Sequence, residues 1–200
     1  SGGCIHMGRA NADILMGRVL YKLAGKISVR LLSIEGGSKD NAIPRNCCAK
    51  ILVDSDVDQK AALRVVEKQM DQISEEYRLT DGGITFRVSW EDATELPVKV
   101  LGKADTKKII DFLMLTPNGL IERDPVDRDL PQTSLNLGIL NSSEDKITAV
   151  YLVRSSVNSQ KKYLQKKVET LVELLGGTTE VKGAYPAWER AASSPLCDEL

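Results

Sequence analysis

The chain has 200 residues, of which 42% are hydrophobic, and a chain of this length can bury roughly 70% of its accessible surface in one large or two small domains. Its 27 basic and 28 acidic residues leave a net charge of −1, which excludes an overall attraction to nucleic acid or to an anionic membrane. The apolar runs are far shorter than the ~20 residues of a membrane span, so we expect a soluble cytoplasmic protein.

The first part of the chain predicts a helix followed by two strands. Apolar residues recur at helical spacing over residues 10–24. Alternating apolar and polar residues then predict strands at 27–31 and 49–53. The connection between them, residues 33–46, contains two glycines and Pro44, which are typical of a tight turn that presents a side chain rigidly.

A second helix and a further strand complete this half of the chain. Asp56 is expected to cap a helix over residues 57–77, and alternation predicts a strand over residues 84–91. Phe86 and Trp90 could form a platform for stacking nucleic-acid bases. However, they alternate in phase with apolar neighbours, so we expect them to pack in the core.

The second half repeats the same kinds of element, with an irregular segment over residues 120–132. In order, the patterns predict a strand at 98–101, a helix capped by Asp105, a hairpin of 135–139 with 147–153, a helix at 158–175 and a closing strand at 179–185.

This order of elements is that of the ferredoxin-like split βαβ fold. The first half has the same order, except that its first strand would precede Ser1. We therefore predict an α+β fold of two ferredoxin-like βαββαβ units, the first lacking its first strand, with an antiparallel sheet and helices on one face. The sequence leaves open whether the two units share one sheet.

Few residues of the chain could carry out catalysis. There is a single histidine, His6, and there is no nucleophile elbow or phosphate-binding loop. Cys47 and Cys48 are adjacent, which is poor geometry for a disulfide, and the four cysteines lack the paired spacing of a zinc site. We expect His6 to be a hydrogen-bonded structural residue, and we expect this chain neither to catalyse a reaction nor to bind a metal by itself.

Short motifs occur in a characteristic order along essentially all 200 residues. They are Ser1-Gly2-Gly3, Asn11-Ala12, Gly36-Gly37, Asn41-Ala42-Ile43-Pro44-Arg45, Thr116-Pro117-Asn118-Gly119, Thr133-Ser134-Leu135-Asn136-Leu137-Gly138, Val153-Arg154-Ser155, Gly183-Ala184-Tyr185-Pro186-Ala187-Trp188 and Ser194-Pro195-Leu196. In these motifs the chain resembles the aminoacyl-histidine (Xaa-His) dipeptidases, a family of zinc metallopeptidases.

The resemblance implies a two-domain enzyme in which a catalytic domain binds two zinc ions and an inserted lid domain closes over a dipeptide. This chain resembles the lid only, so the catalytic domain would be absent and no zinc would be bound here. Residues 1–200 would form the lid, with units at 1–94 and 95–188 and a tail at 189–200 leading back to the catalytic domain. The family's Gly-Gly-His-Ser-Gly motif carries a histidine that stabilises the tetrahedral intermediate, and here it would immediately precede Ser1.

Two family functions transfer onto matching positions of this sequence. The resemblance assigns Asn41 to hydrogen bonding with the dipeptide substrate and Arg154 to its free carboxylate. A lid of this kind is also expected to contact its own catalytic domain and to form a homodimer. Cys4 departs from the family, which often has an acidic residue there. An alternative interpretation is a non-catalytic, doubled ferredoxin-like module that binds an amino acid or dimerises.

Overall fold

The structure is a computed structural model that describes residues 2–93 and 100–187. Within these residues, a short 3-10 helix at Gly2–Met7 precedes four α-helices and five β-strands. In chain order these are α1 (Ala12–Ala24), β1 (Val29–Gly37), β2 (Cys47–Val53), α2 (Gln59–Tyr77), α3 (Lys103–Leu115), β3 (Gly119–Arg123), β4 (Pro131–Ser142), β5 (Ile147–Ser155) and α4 (Asn158–Leu174).

Strand β4 is the centre of one antiparallel sheet. Strand β5 pairs with it along residues 133–142. The opposite edge of β4 is shared by two strands, because β3 pairs with residues 131–135 and β1 pairs with Ile139 and Leu140. Strand β2 pairs with the far side of β1. The two halves of the chain therefore share one sheet, which answers the question that the sequence leaves open.

The core lies between one face of this sheet and the helices. Helix α1 is central, since it packs on both α2 and α3 and on the strands beneath them. Its stripe of apolar residues follows the 3.6-residue helical period and is buried, as the sequence predicts. Most of the buried apolar residues form a single cluster, which includes Leu15, Val19, Leu20, Leu23, Leu31, Ile34, Val66, Ile73, Ile110, Leu113, Leu137 and Leu140.

The predicted class, an α+β fold with an antiparallel sheet, is confirmed, and so are the four helices and both hairpins. Each half contains a helix, a hairpin and a second helix, and the second half has the additional strand β3 between α3 and its hairpin. Two predicted caps are wrong: Asp58 rather than Asp56 caps α2, and α3 begins after Gly102 rather than Asp105. The segment predicted as irregular over residues 120–132 contains most of β3 and the start of β4.

The strand predicted over residues 84–91 does not form, and the core positions predicted for Phe86 and Trp90 are wrong. Phe86 is 36% exposed and Trp90 is 42% exposed. A strand requires a neighbouring edge, and no strand of the described residues pairs with this segment. Instead Ile84 and Phe86 line a groove beside α1. Alternation of apolar and polar residues was therefore not sufficient to predict a strand in this segment.

The predicted closing strand at 179–185 is likewise irregular. Its end runs back to α4, where the Lys161 ammonium lies 3.8 Å from the centre of the Tyr185 ring. The strand predicted at 98–101 falls partly outside the described residues. Its last residue, Leu101, donates one backbone hydrogen bond of 3.0 Å to the Leu31 carbonyl of β1, without forming a ladder.

Candidate functional site

The connection between β1 and β2, residues 38–46, contains the first predicted site residue and is called the hairpin loop below. The Ala42 amide donates a 3.2 Å hydrogen bond to the Lys39 carbonyl, which closes a four-residue turn with Asp40 and Asn41 at its centre. The Asn41 side chain is exposed. The sequence prediction of a turn that presents Asn41 is confirmed, although β1 extends farther into the connection than predicted and ends at Gly37.

The hairpin loop folds back onto β4 in direct backbone contact. Gly37 has a φ of +65°, a left-handed conformation that side chains disfavour, and it directs the chain out of β1. A Cβ atom added to Gly138 of β4 would lie 2.5 Å from the Asp40 carbonyl oxygen, so only glycine allows this approach. The Asn136 side-chain nitrogen donates hydrogen bonds of 2.9 Å to the carbonyls of both Asp40 and Ala42.

The end of the hairpin loop is attached to the start of α1. Pro44 is buried, and its carbonyl accepts a 3.1 Å hydrogen bond from the Ala12 amide. The adjacent Asn11 caps α1, because its side-chain oxygen accepts from the Asp13 amide at 3.0 Å. Its nitrogen donates to the Leu137 carbonyl of β4 at 2.8 Å. The loop is therefore fixed to α1 as well as to β4.

The second predicted site residue, Arg154, lies on the same face of the sheet as the hairpin loop. Arg154 of β5 is directly opposite Ser134, and the third pair farther along the ladder, Leu137 with Tyr151, packs into the helix-covered core. Because residues directly opposite share a face and neighbours along a strand alternate, Arg154 and Asn136 both point away from the helices.

This placement brings Arg154 close to the turn that bears Asn41. Ser134 and Asn136 are two residues apart on β4, about 7 Å along the strand, and Asn136 is bonded to that turn. The Arg154 side chain is exposed and forms no ion pair with another described residue. A guanidinium, which can bind a carboxylate bidentately, and the turn that bears a primary amide are therefore on the same face of the sheet.

A buried carboxyl group lies on the other side of the hairpin. Asp13 of α1 is fully buried beside Gly36, and among the described residues neither of its oxygens has a well-formed hydrogen bond. Burial raises the pKa of Asp13 to about 6, and the Cys47 thiol opposes this by a smaller amount. Burial also raises the pKa of the Cys47 thiol and of the Tyr151 hydroxyl. This group is on the core side, away from Asn41 and Arg154.

The described residues do not fit a metal centre. Within residues 2–93 and 100–187, no three His, Cys, Asp or Glu side chains come close enough to hold a metal ion.

Nδ1 of His6 is buried and has no hydrogen-bond partner in this part of the chain, so the hydrogen bond expected for His6 is not found at that nitrogen. None of the helices described here combines the length and apolar character needed to cross a membrane.

Asn136 and Gly138 are the residues of this site that the sequence analysis did not single out. They lie in the motif Thr133–Gly138, which the resemblance used only as a marker of the family. Asparagine and glycine are both disfavoured in strand interiors, so their presence between Leu135, Leu137 and Ile139 was a usable signal.

The chain is similar to known peptidases along nearly its whole length. Residues 2–81 match the peptidase dimerisation domain family. The cytosol non-specific dipeptidase of Escherichia coli (strain K12) is 34% identical over 197 residues, which are 98% of this chain and 40% of that protein. The crystal structure of an aminoacylhistidine dipeptidase from Vibrio alginolyticus superposes with a TM-score of 0.86 at 29% identity, covering 98% of this chain and 39% of that one.

These matches confirm the resemblance that the motifs indicate, and they confirm that it concerns one region of the dipeptidases. The chain spans about two fifths of the length of both relatives.

Proposed function

We propose that this chain is the substrate-capping lid of a complete dipeptidase, because residues 2–81 match the peptidase dimerisation domain family and nearly the whole chain is similar to one region of known dipeptidases. We propose Xaa-His type dipeptides as the substrates, following the name of the solved relative. A cytoplasmic location is supported by the name of the curated relative. The chain alone is not expected to hydrolyse peptides, because the catalytic domain implied by the resemblance would lie outside it.

The observation that carries this proposal is the shared position of Arg154 and the hairpin loop on the face of the sheet opposite the α-helices. A dipeptide has a free carboxylate, which a guanidinium binds with two parallel hydrogen bonds, and a peptide group, which an amide side chain can bind as donor and acceptor. A lid that adds these contacts only on closure orients the substrate and excludes water. Two zinc ions of the complete enzyme are proposed to be bound outside this chain, as the described residues do not fit them.

Replacement of Arg154 tests the proposal in the complete protein. Arg154→Ala should lower kcat/KM for dipeptides by an amount on the order of 2 kcal/mol, or about 30-fold, because the substrate carboxylate loses its partner. Steady-state kinetics measures this change. Arg154→Lys should recover only part of the loss, since an ammonium keeps the charge without the planar fork.

Two controls distinguish carboxylate binding from a general effect of lost charge. Arg64→Ala removes another exposed arginine, which lies on α2 rather than on the sheet, and should leave kcat/KM unchanged. A dipeptide amide, which lacks the carboxylate, should be a poor substrate for the unmodified enzyme and should be no worse for Arg154→Ala. Equal losses for the acid and the amide would remove the assignment of Arg154.

We also propose that the complete protein is a homodimer. The match to the peptidase dimerisation domain supports this proposal, and β2 has one edge that pairs with no other described strand. Sedimentation analysis of the complete protein should give twice the mass of one chain at micromolar concentration. A monomer at that concentration would contradict the dimer but would leave the test of Arg154 unaffected.

A further inference from the structure

We propose that Asn136 is a positioning residue that fixes Asn41 for substrate binding. The inference rests on the proposed function, because it concerns how the lid presents one of its two substrate-binding side chains. Asn136 is on β4, in the second half of the chain, and Asn41 is in the hairpin loop of the first half. The two residues are far apart in the sequence, and only the tertiary structure brings them close to each other.

The two hydrogen bonds from Asn136 bracket Asn41. One acceptor is the carbonyl of Asp40, the residue before Asn41, and the other is the carbonyl of Ala42, the residue after it, each at 2.9 Å. A primary amide has two N–H donors, so both are used on this turn. Holding the peptide group on each side fixes the backbone direction at Asn41 and therefore the path of its side chain.

The surroundings of Asn136 indicate no structural role for it other than its hydrogen bonds to the turn. Its side chain is 3% exposed in the middle of a strand, where an apolar residue would be stabilising and a polar one costs free energy unless it is hydrogen-bonded. Its Oδ1 atom is buried and accepts no hydrogen bond from the described residues. The orientation of the amide is thus set by the turn alone.

Gly37 and Gly138, which lie where the turn contacts β4, support the same interpretation. Gly138 leaves room for the Asp40 backbone, and a Cβ at Gly37 would lie 2.0 Å from the Gly138 carbonyl oxygen. The turn therefore packs directly on β4 at the point where the Asn136 side chain forms its two hydrogen bonds. A side chain held in this way loses little conformational freedom when substrate binds, which is the benefit of a preorganised site.

A double-mutant cycle in the complete protein tests this inference. Asn136→Ala should lower kcat/KM for a dipeptide by about tenfold or more, because small misplacements of a binding group are costly. In an Asn41→Ala background the same change should alter kcat/KM by less than about threefold, since the group being positioned is already absent. If Asn136→Ala only destabilised the fold, it would instead lower kcat/KM by the same factor with Asn41 present and with Asn41→Ala.

Asn141→Ala, an exposed substitution on the same strand, is the matched control and should leave kcat/KM unchanged. Asn136→Asp, which is similar in shape but has no amide donors, is measured in parallel in case the alanine variant does not fold. An additive cycle, or an Asn136 variant as active as Asn141→Ala, would overturn the inference while the role of Asn41 stands. If Asn41→Ala itself has no effect, the substrate contact of Asn41 and this inference both fail.

Discussion

Both halves of the molecule contain a helix, a hairpin and a second helix, with β3 added in the second half, but the strands of the two hairpins are connected differently. In the second half four residues, 143–146, connect β4 to β5, and the Ser143 amide closes the turn on the Lys146 carbonyl at 2.8 Å. In the first half nine residues, 38–46, form the hairpin loop, which folds across onto β4. The repeated order therefore provides the sheet, whereas a single lengthened connection provides the exposed Asn41.

The halves also differ at the start of their first helices. Asn11 caps α1 with its side chain, whereas Gly102 precedes α3 without a side-chain hydrogen bond. Each helix has an aspartate in its first turn. Asp105 is exposed and pairs with Lys108 at 3.2 Å, whereas Asp13 is fully buried. The same residue type thus has two electrostatic environments at related positions of the fold.

The largest effect that we expect from this difference is a pH dependence of stability due to Asp13. Its pKa is about 6 in the folded protein and about 3.9 in an unfolded chain. The folded state therefore holds the proton more tightly, and the resulting stabilisation is complete below about pH 4 and lost as the pH rises through about 6. The loss corresponds to about 3 kcal/mol in the free energy of unfolding.

Urea denaturation from pH 4 to pH 7 measures this effect. Asp13→Asn should remove that fall in the free energy of unfolding, while Asp105→Asn should retain it. The Cys47 and Tyr151 groups near Asp13 stay neutral over this range, because burial raises the pKa of both. If the slopes of Asp13→Asn and the unmodified chain were equal, the buried carboxyl would not be their source.

Much of the fold could be predicted from local patterns, whereas the contacts between the halves could not. Helical periodicity located all four helices, and alternation located both hairpins. Alternation failed at Phe86 because a strand also needs a partner edge, which is a property of the tertiary structure. The resemblance assigned Asn41 and Arg154 to substrate binding, and that assignment stays a prediction. Their common face follows from the register of β4 with β5 and from the hydrogen bonds of Asn136 to the hairpin loop, which no local pattern encodes.

The next largest effect should come from Gly138, where the hairpin loop contacts β4. Gly138→Ala places a Cβ atom within 2.6 Å of backbone atoms of Asp40 and Lys39, so the loop must move. We expect a loss of about 2 kcal/mol in the free energy of unfolding, as is typical of overpacking. Gly83→Ala is the control, because a Cβ there meets nothing within 4 Å. Equal stabilities of the two variants, measured by urea denaturation, would contradict close packing of the loop.

The smallest effect concerns the helices of the first half. Arg18 of α1 and Glu76 of α2 form two hydrogen bonds of 2.6 and 2.7 Å, and no ion pair of the described residues joins α3 to α4. The hydrogen bond with Arg18 lowers the pKa of Glu76. Both side chains are partly exposed, so solvent screening limits the interaction to about 0.5 kcal/mol.

A double-mutant cycle of Arg18→Gln and Glu76→Gln should give this coupling at low salt, and 1 M salt should abolish it. A coupling that persists in 1 M salt would show that the pair fixes α1 against α2 by its hydrogen-bond geometry. The first half would then be held by a directional contact between its helices, whereas the second half depends on apolar packing between α3 and α4 and the sheet.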